Sequence, residues 1–249
     1  MLSKDFIVKA NAISQKDAHL RLAEYKKTKS LSSKKENYPI EEMKSFWPEG
    51  TYFDVAHIEG LYGELDGKLL IIFRGTDGVK GMIHNFMWRK RRTSFLNDKK
   101  IRIANGFHRD YSTIRDFIID VVNKSNNKDV VVHGHSKGGV LAALCALDIV
   151  SNTTDKNVEA FSIGMLRTGN KHFADYFDKK LPNYINIDYG SDFWSQLAPR
   201  WLGFHHVGKR IHLGPKRKWG FGRRKDHHWD VYHNALKEHL TDEMLKEDK

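Results

Sequence analysis

The residues best placed to do chemistry lie in the segment Gly134-His135-Ser136-Lys137-Gly138. The β-branched run Val130-Val131-Val132 precedes it, and an Ala- and Leu-rich stretch from Val140 to Val150 follows it. This pattern predicts a strand, a sharp turn and a helix, a context that exposes a serine hydroxyl. The two outer glycines remove side chains that would clash at such a turn. The amide of Lys137, at the start of the helix, would face a developing oxyanion. We therefore expect Ser136 to be a nucleophile.

A serine nucleophile needs partners, because its hydroxyl is weak until a histidine takes the proton and an acid orients that histidine. In hydrolases with this turn the acid and then the histidine follow the serine along the chain, so both are expected after residue 136. Histidines also bind metals, and the chain has 14 of them. However, neither a His-Glu-x-x-His nor a Cys-x-x-Cys spacing occurs. We expect neither a metal nor a cofactor.

The elements around the turn alternate between strand and helix. Asp66-Gly67 predicts a tight turn between an extended segment, Tyr52 to Glu64, and the apolar strand Leu69 to Phe73. Helices and strands are then expected in alternation over 108–124, 130–132, 140–150, 158–163, 171–179 and 184–187, with a last helix over 229–245. The order predicts an α/β-hydrolase fold, with a mostly parallel central sheet covered by helices. We expect one domain spanning 1–249, with an amphipathic amino-terminal helix over 5–28.

Length and composition are those of an ordinary globular chain, with 249 residues of which 40% are hydrophobic and 29% charged. No apolar run reaches the roughly 18–20 residues that cross a bilayer. The amino terminus lacks the apolar core of a secretory signal. The single cysteine, Cys145, excludes an internal disulfide and fits a reducing compartment. We therefore expect a cytoplasmic or peripherally membrane-associated protein.

The formal net charge of +11 favours polyanionic partners, such as nucleic acid or anionic lipid headgroups. The cations concentrate in Arg89-Lys90-Arg91-Arg92 and in the stretch from Lys216 to Lys225. A solvated basic face that only keeps the protein soluble is the alternative interpretation.

Six segments, taken in order from about Tyr52 to Leu240, resemble the class 3 lipase family, the fungal-type triacylglycerol lipases and their relatives. The resemblance implies an α/β-hydrolase that cleaves acyl esters without a cofactor. The segments are Ile72-Phe73-Arg74-Gly75-Thr76, Asn105-Gly106-Phe107 with Tyr111, residues 134–139, Phe161-Ser162-Ile163-Gly164 through Phe173, Tyr189-Gly190-Ser191-Asp192 with Leu197-Ala198-Pro199, and His206-Val207-Gly208.

The resemblance also implies a set of site residues. These are Ser136 as nucleophile, Asp192 as the acid, His227 as the base with His228 as the alternative, and an oxyanion hole formed by Thr76 and the amide of Lys137. The chain departs from the family pattern at two points. Lys137 stands where the family has an apolar residue, and Met165-Leu166 stands where a small residue and proline are usual. Since only the amide of Lys137 is required, we expect activity to survive the first departure.

Lipases of this family cover the serine with a movable lid, which we expect here within residues 78–100. The segment 82–92 combines Met, Phe and Trp with four cations, and the segment 216–225 repeats the basic and aromatic pattern near the histidines. Such a composition suits contact with an anionic membrane surface. A basic loop whose apolar side chains pack into the core is the alternative interpretation.

The expected function is the hydrolysis of carboxylic esters, lipase-like or phospholipase-like, on a lipid or a small acyl ester. Two alternatives stay open. A noncatalytic protein on a hydrolase scaffold would use the basic and aromatic segments to bind polyanions or nucleic acid, the partner that we expect least. An acyltransferase or amidase would use the same nucleophile, base and acid on another substrate. The sequence does not indicate an oligomeric state.

Overall fold

The computed structural model describes residues 1–28, 38–75, 89–215 and 222–246. Short 3₁₀ turns occur at Trp194–Gln196, Arg200–Leu202 and Arg224–His227. The helices are α1 (Lys4–Thr28), α2 (Ile40–Phe46), α3 (Asn105–Lys124), α4 (Lys137–Asn152), α5 (Lys171–Lys180), α6 (Trp229–His239) and α7 (Asp242–Leu245). The strands are β1 (Thr51–Val55), β2 (Ile58–Leu65), β3 (Lys68–Phe73), β4 (Lys90–Arg92), β5 (Arg102–Ala104), β6 (Asp129–His135), β7 (Asn157–Ile163), β8 (Ile185–Tyr189) and β9 (Lys209–Leu213).

The central sheet has seven strands in the order β1-β2-β3-β6-β7-β8-β9. The β1–β2 and β2–β3 pairs are antiparallel, and the strands from β3 to β9 pair in parallel. Strands β4 and β5 form a separate antiparallel pair. Parallel neighbours need a crossover connection, and here helices provide it between β6, β7 and β8. This architecture confirms the predicted α/β-hydrolase fold.

Alternate residues of the central strands face opposite layers, because side chains of a strand point alternately to its two sides. In β3, Leu69 and Ile71 pack into a core shared with α3, α4 and α5, while Leu70 and Ile72 pack into a second core shared with α1, α2 and α6. Burial of both faces explains why β3 and β6 are nearly continuous apolar runs instead of alternating ones.

The structure corrects two of the expected elements. The extended segment from Tyr52 to Glu64 is two strands, because Ala56 and His57 have φ angles of 48° and 72° and turn the chain between β1 and β2. The expected last helix over 229–245 is interrupted at Leu240, where α6 ends with extended backbone, and Thr241 caps a separate α7. The predicted Asp66-Gly67 turn is confirmed and joins β2 to β3.

The carboxyl ends of the parallel strands meet at one edge of the sheet, where ligands of open α/β sheets bind. Ser136 follows β6 directly, Gly164 follows β7, and Asp192 comes three residues after β8. Among the described residues, no helix combines the length and the apolar character that a bilayer crossing requires.

Candidate active site

Ser136 occupies a strained turn between β6 and α4. Its backbone has φ 58° and ψ −123°, a conformation that costs a residue with a side chain roughly 1–3 kcal/mol. Close packing enforces the turn: a Cβ at Gly134 would lie 2.2 Å from the carbonyl of Gly138, and one at Gly138 would lie 2.1 Å from the Phe73 carbonyl oxygen. Only glycine fits at either position, so the strand and the helix approach closely on both sides of Ser136.

Three side chains form a hydrogen-bonded series at this turn. Nε2 of His227 lies 2.7 Å from Oγ of Ser136, and Nδ1 of His227 lies 2.7 Å from Oδ2 of Asp192. A carboxylate only accepts hydrogen bonds, so Nδ1 carries the ring proton and Nε2 is left to accept the proton of the serine hydroxyl. All three residues are buried. The arrangement is that of a serine activated by a histidine base which an acid orients.

Asp192 accepts hydrogen bonds from two further donors besides His227. The hydroxyl of Tyr232 donates to its Oδ2 at 2.7 Å, and the amide of Trp194 donates to its Oδ1 at 2.8 Å. Neutral donors satisfy this buried carboxylate without cancelling its charge, and they hold it in one orientation. Gly164, with φ 58°, passes so close that a Cβ would lie 3.1 Å from both Asp192 and the His227 ring. The carboxylate is therefore fixed by contacts on several sides.

His135 contacts the backbone of His227. Its Nε2 donates to the carbonyl oxygen of His227 at 2.9 Å, and the two rings lie 4.6 Å apart between centroids. Burial lowers the pKa of His135 well below its usual value, and the neighbouring His227 adds to this effect. His135 therefore stays neutral at physiological pH and contributes a hydrogen bond, not a charge.

Lys137 is the first residue of α4, so its amide has no acceptor within the helix and is available to an oxyanion. Its side chain turns away to an ion pair with Asp110 of α3, in which Nζ lies 2.6 Å from Oδ2. Both side chains are mostly buried. The unusual cation next to the serine is thus neutralised by a residue that the sequence analysis did not identify.

Of the two remaining predicted site residues, the structure describes His228 but not Thr76. His228, the alternative base, is exposed, and its side chain caps α6 by accepting from the amide of Asp230. Thr76 lies outside the described residues, as do residues 78–88 of the expected lid over 78–100 and parts of the segments 82–92 and 216–225. Arg74, two residues before Thr76, pairs with Glu59 and Asp17. Within the described ranges, no group of three potential ligand side chains could hold a metal ion.

Sequence reasoning missed the residues that support the site from a distance. Tyr232, His135 and Asp110 contact Asp192, His227 and Lys137 from 40, 92 and 27 positions away, separations that no local pattern encodes. It also missed that α1 lines the space in front of Ser136. The signal available was weak: α1 buries Asn11, Asp17 and Arg21 on its inner face, and polar residues on a buried stripe indicate a packed polar contact.

Known proteins resemble this chain in sequence. The family described as "Lipase (class 3)" matches residues 70–201, more than half of the chain. A secreted mono- and diacylglycerol lipase of Malassezia restricta is 34% identical over 120 residues, which are 46% of this chain and 40% of that protein. A lipase of Rhizomucor miehei is 25% identical over 154 residues, covering 59% of this chain and 42% of that protein. The match to each relative thus spans about two fifths of the relative's length.

Solved structures resemble it in fold. Lipase II from Rhizopus niveus superposes with a TM-score of 0.63 at 21% identity, covering 81% of this chain and 80% of that one. The lipase from Rhizopus microsporus var. chinensis gives a TM-score of 0.65 at 18% identity, with coverage of 96% and 85%. At these identities the likeness supports the fold alone.

The comparisons also correct one expectation. Relatives from Malassezia restricta and Malassezia globosa are named secreted lipases. The expectation of a cytoplasmic or peripherally membrane-associated protein is therefore wrong, and the relatives point to an extracellular location. The family match covers more than half of the residues and includes the serine turn and Asp192. The chain therefore belongs to the class 3 lipase family.

Proposed function

We propose that the chain is an extracellular serine hydrolase that cleaves carboxylic esters of lipids, and that its residues 1–249 act as one domain. The observation that carries the proposal is the series from Ser136 Oγ to His227 Nε2 and from His227 Nδ1 to Asp192 Oδ2, with 2.7 Å at each step. The names of the Malassezia relatives make mono- and diacylglycerols the first substrates to test.

In the first half of the reaction, Ser136 Oγ attacks the acyl carbonyl carbon while His227 Nε2 takes the hydroxyl proton. The imidazolium that forms is stabilised by the negative charge of Asp192. The carbonyl oxygen becomes an oxyanion, which the amide of Lys137 binds together with Thr76. When the tetrahedral intermediate collapses, the bond to the leaving oxygen breaks and His227 gives that oxygen its proton. An alcohol leaves, and the acyl group stays on Ser136.

The second half repeats the same steps with water. His227 Nε2 takes a proton from a water molecule, whose oxygen attacks the acyl carbon of the acyl-enzyme. Collapse of the second intermediate returns the proton to Ser136 Oγ and releases the carboxylic acid. The water adds H to the serine oxygen and OH to the acyl carbon, so no further reactant is needed. An alcohol in place of water would give acyl transfer, which no observation favours here over hydrolysis.

The test is the substitution Ser136→Ala with Ser162→Ala as a matched control. Both serines are buried, but Ser162 lies in β7 and its hydroxyl bonds to Asn186. We expect Ser136→Ala to lower the hydrolysis of short p-nitrophenyl esters by at least about 10⁴-fold while circular dichroism stays unchanged. A fluorophosphonate should label the wild type and Ser162→Ala, but not Ser136→Ala. Hydrolysis that persists in Ser136→Ala would refute the proposal.

We further propose that the lid region and the basic segments 82–92 and 216–225 meet an anionic lipid surface. The described parts of these segments carry six exposed cations, which support this proposal: Arg89, Arg91, Arg92, Arg223, Arg224 and Lys225. Binding to vesicles should increase with phosphatidylglycerol content and fall with salt, since exposed charges are screened within about 10 Å at 0.1 M salt. Equal binding to phosphatidylcholine vesicles would argue against this surface.

A further inference from the structure

A cavity of about 600 Å³ opens beside Ser136, between α1 and the segment that carries His227. This volume lies within the range of small-molecule sites. The α1 wall includes Asn11, Ser14, Ala18 and Arg21, and the opposite wall includes the run from Arg224 to Trp229 apart from Asp226. The cavity therefore connects Ser136 and His227 to side chains that lie outside the triad of Ser136, His227 and Asp192.

The Arg and Lys side chains that line this cavity give it a positive charge. Arginine and lysine side chains line it on both walls, and among the described residues no aspartate or glutamate does. On the α1 side, Arg21 and Arg74 both pair with Glu59, and Arg74 also lies near Asp17, so two carboxylates offset these two cations. On the opposite wall, Arg224 and Lys225 have no carboxylate partner in the part of the chain that the structure describes. Two uncompensated positive charges therefore face the cavity.

These two cations lie on the side of the departing group. His227 Nε2 gives its proton to the leaving oxygen, so the leaving group must lie against the histidine. Arg224 and Lys225 precede His227 by three and two residues in the same 3₁₀ turn. The Arg224 guanidinium carbon lies 6.0 Å from the centre of the Trp194 ring, which itself lies 6.0 Å from the His227 ring. The cations are thus next to the space into which the alcohol departs.

We propose that Arg224 and Lys225 bind a negatively charged phosphate on the leaving-group side, so that the enzyme prefers esters whose alcohol carries an anionic phosphodiester. This inference rests on the proposed function and names a substrate class for it. A guanidinium donates paired hydrogen bonds to two phosphate oxygens, and an ammonium adds a compact charge. Glycerophospholipids with an anionic headgroup are substrates of this class.

The experiment compares two soluble esters that differ in the anionic phosphoglycerol headgroup. Dihexanoylphosphatidylglycerol and dihexanoylglycerol, both kept below micellar concentrations, avoid effects of a charged lipid surface. We expect the ratio of kcat/KM values, anionic over neutral ester, to fall at least tenfold in Arg224→Gln/Lys225→Gln. The matched control is Lys128→Gln/Lys179→Gln, which removes the same charge from exposed positions at the amino-terminal edge of the sheet, opposite Ser136. It should leave the ratio unchanged.

A ratio that stays the same in Arg224→Gln/Lys225→Gln, or that falls equally in the control, would overturn the inference. Hexanoate tests the other source of this chemistry, the carboxylate of the released acid. If hexanoate inhibition is lost in the double variant while the ester ratio holds, the cations bind the product and the proposed preference is wrong.

A binding measurement separates this inference from the proposed function. In Ser136→Ala protein, titration calorimetry follows dihexanoylphosphatidylglycerol without turnover, and Arg224→Gln/Lys225→Gln should raise its Kd at least fivefold. If no ester is hydrolysed through Ser136 but this shift in Kd occurs, the phosphate site stands and the hydrolase proposal fails. If hydrolysis depends on Ser136 but Kd does not shift, only the phosphate site is refuted.

Discussion

Two carboxylates, Asp192 and Glu59, hold side chains on the two walls of the cavity. Their hydrogen-bond donors differ in charge. Asp192 accepts hydrogen bonds from a tyrosine hydroxyl, an imidazole and a backbone amide, all of them neutral donors. Glu59 accepts from the guanidinium groups of Arg21 and Arg74, which are permanent cations. Both carboxylates are nearly buried, and because burying a polar group without hydrogen-bond partners is costly, each needs these donors.

The difference between the partners separates a reactive network from a structural one. Neutral donors leave the charge of Asp192 uncancelled, so in the proposed reaction it would stabilise the cation that forms on His227. Two arginines cancel the charge of Glu59 at all times, and the result is a tie between α1, β2 and the end of β3. Damage to the first network should appear in rates, and damage to the second should appear in stability.

The largest effect is expected from Asp192→Asn. An amide at this position favours the wrong tautomer of His227 and cannot stabilise the imidazolium, so kcat should fall by about 10⁴-fold. Asp188→Asn is the matched control, because Asp188 is also buried near Tyr232 but pairs with Arg210. Ester hydrolysis should fall far less in the control. Equal losses in the two variants would place the effect of Asp192 in folding and not in the reaction.

The second network is broken by Glu59→Gln. This change leaves Arg21 and Arg74 as buried cations whose charge only the more distant Asp17 partly offsets, so the free energy of unfolding should fall by about 3 kcal/mol. Urea titration measures this loss. Asp175→Asn breaks an exposed pair with Lys171 in α5 and should cost less than about 0.5 kcal/mol. A loss as small in Glu59→Gln would mean that α1 is held by its apolar contacts alone.

The reactive side was easier to predict from sequence than the α1 side. The turn at Ser136 depends largely on neighbours along the chain: a β-branched strand, two glycines and a helix. A short window of sequence therefore contains most of the cause of its geometry, and the contact of Gly138 with Phe73 comes from elsewhere in the chain. The same holds for β3 and β6, whose apolar runs predicted buried strands. The assignment of Ser136, Asp192 and His227 to their roles stays a prediction, one that the measured distances support.

The network on α1 depends on distant partners and could not be predicted in this way. Asp17 and Arg21 are unremarkable charges on a helix until Arg74, Tyr38 and Glu59 arrive from other elements. Likewise, neither Lys137 nor Asp110 indicates from its own surroundings that the two form a pair. The predicted cytoplasmic or peripheral location was wrong for a different reason: it rested on the amino-terminal residues and the single cysteine, and relatives named as secreted contradict it.

His133 extends the comparison, because it is a buried ionisable group whose Nε2 lacks, in the described part of the chain, the hydrogen-bond partners that both networks have. Its ring stacks on Phe161, and its Nε2 has no hydrogen-bond partner among the described residues. Burial lowers the pKa of His133 to about 3. The ordinary pKa of a histidine is about 6.5. Below this pH His133 is protonated in the unfolded chain but not in the folded chain, so the free energy of unfolding falls as the pH drops; above this pH His133 does not affect it.

Between pH 7.5 and pH 5 this group should cost roughly 2 kcal/mol of folding free energy, or 1.4 kcal/mol per pH unit below 6.5. His133→Leu removes the titration at a similar side-chain volume. Urea titrations of both proteins at the two pH values should therefore show a loss on acidification that is about 2 kcal/mol smaller in the variant. An identical loss would mean that His133 takes up its proton in the folded state.

The smallest effect is expected from Tyr232→Phe, which removes one of the neutral donors to Asp192 and keeps the ring in place. A hydrogen bond to a charged group contributes about 1.5–3 kcal/mol, and the two remaining donors should absorb part of this loss. We therefore expect kcat to fall about tenfold with KM nearly constant, since the carboxylate does not contact the substrate. Steady-state kinetics on a soluble neutral ester measures both parameters.

Tyr184→Phe is the control for this change, because Tyr184 is also fully buried but its hydroxyl contacts Met165 and no member of the triad. Its kcat should stay at the wild-type value. If Tyr232→Phe changed KM instead of kcat, the hydroxyl would act on the shape of the cavity and not on the base. If both variants lost the same activity, loosened packing would be the cause, and Asp192 would need only His227 and the Trp194 amide to stay in position.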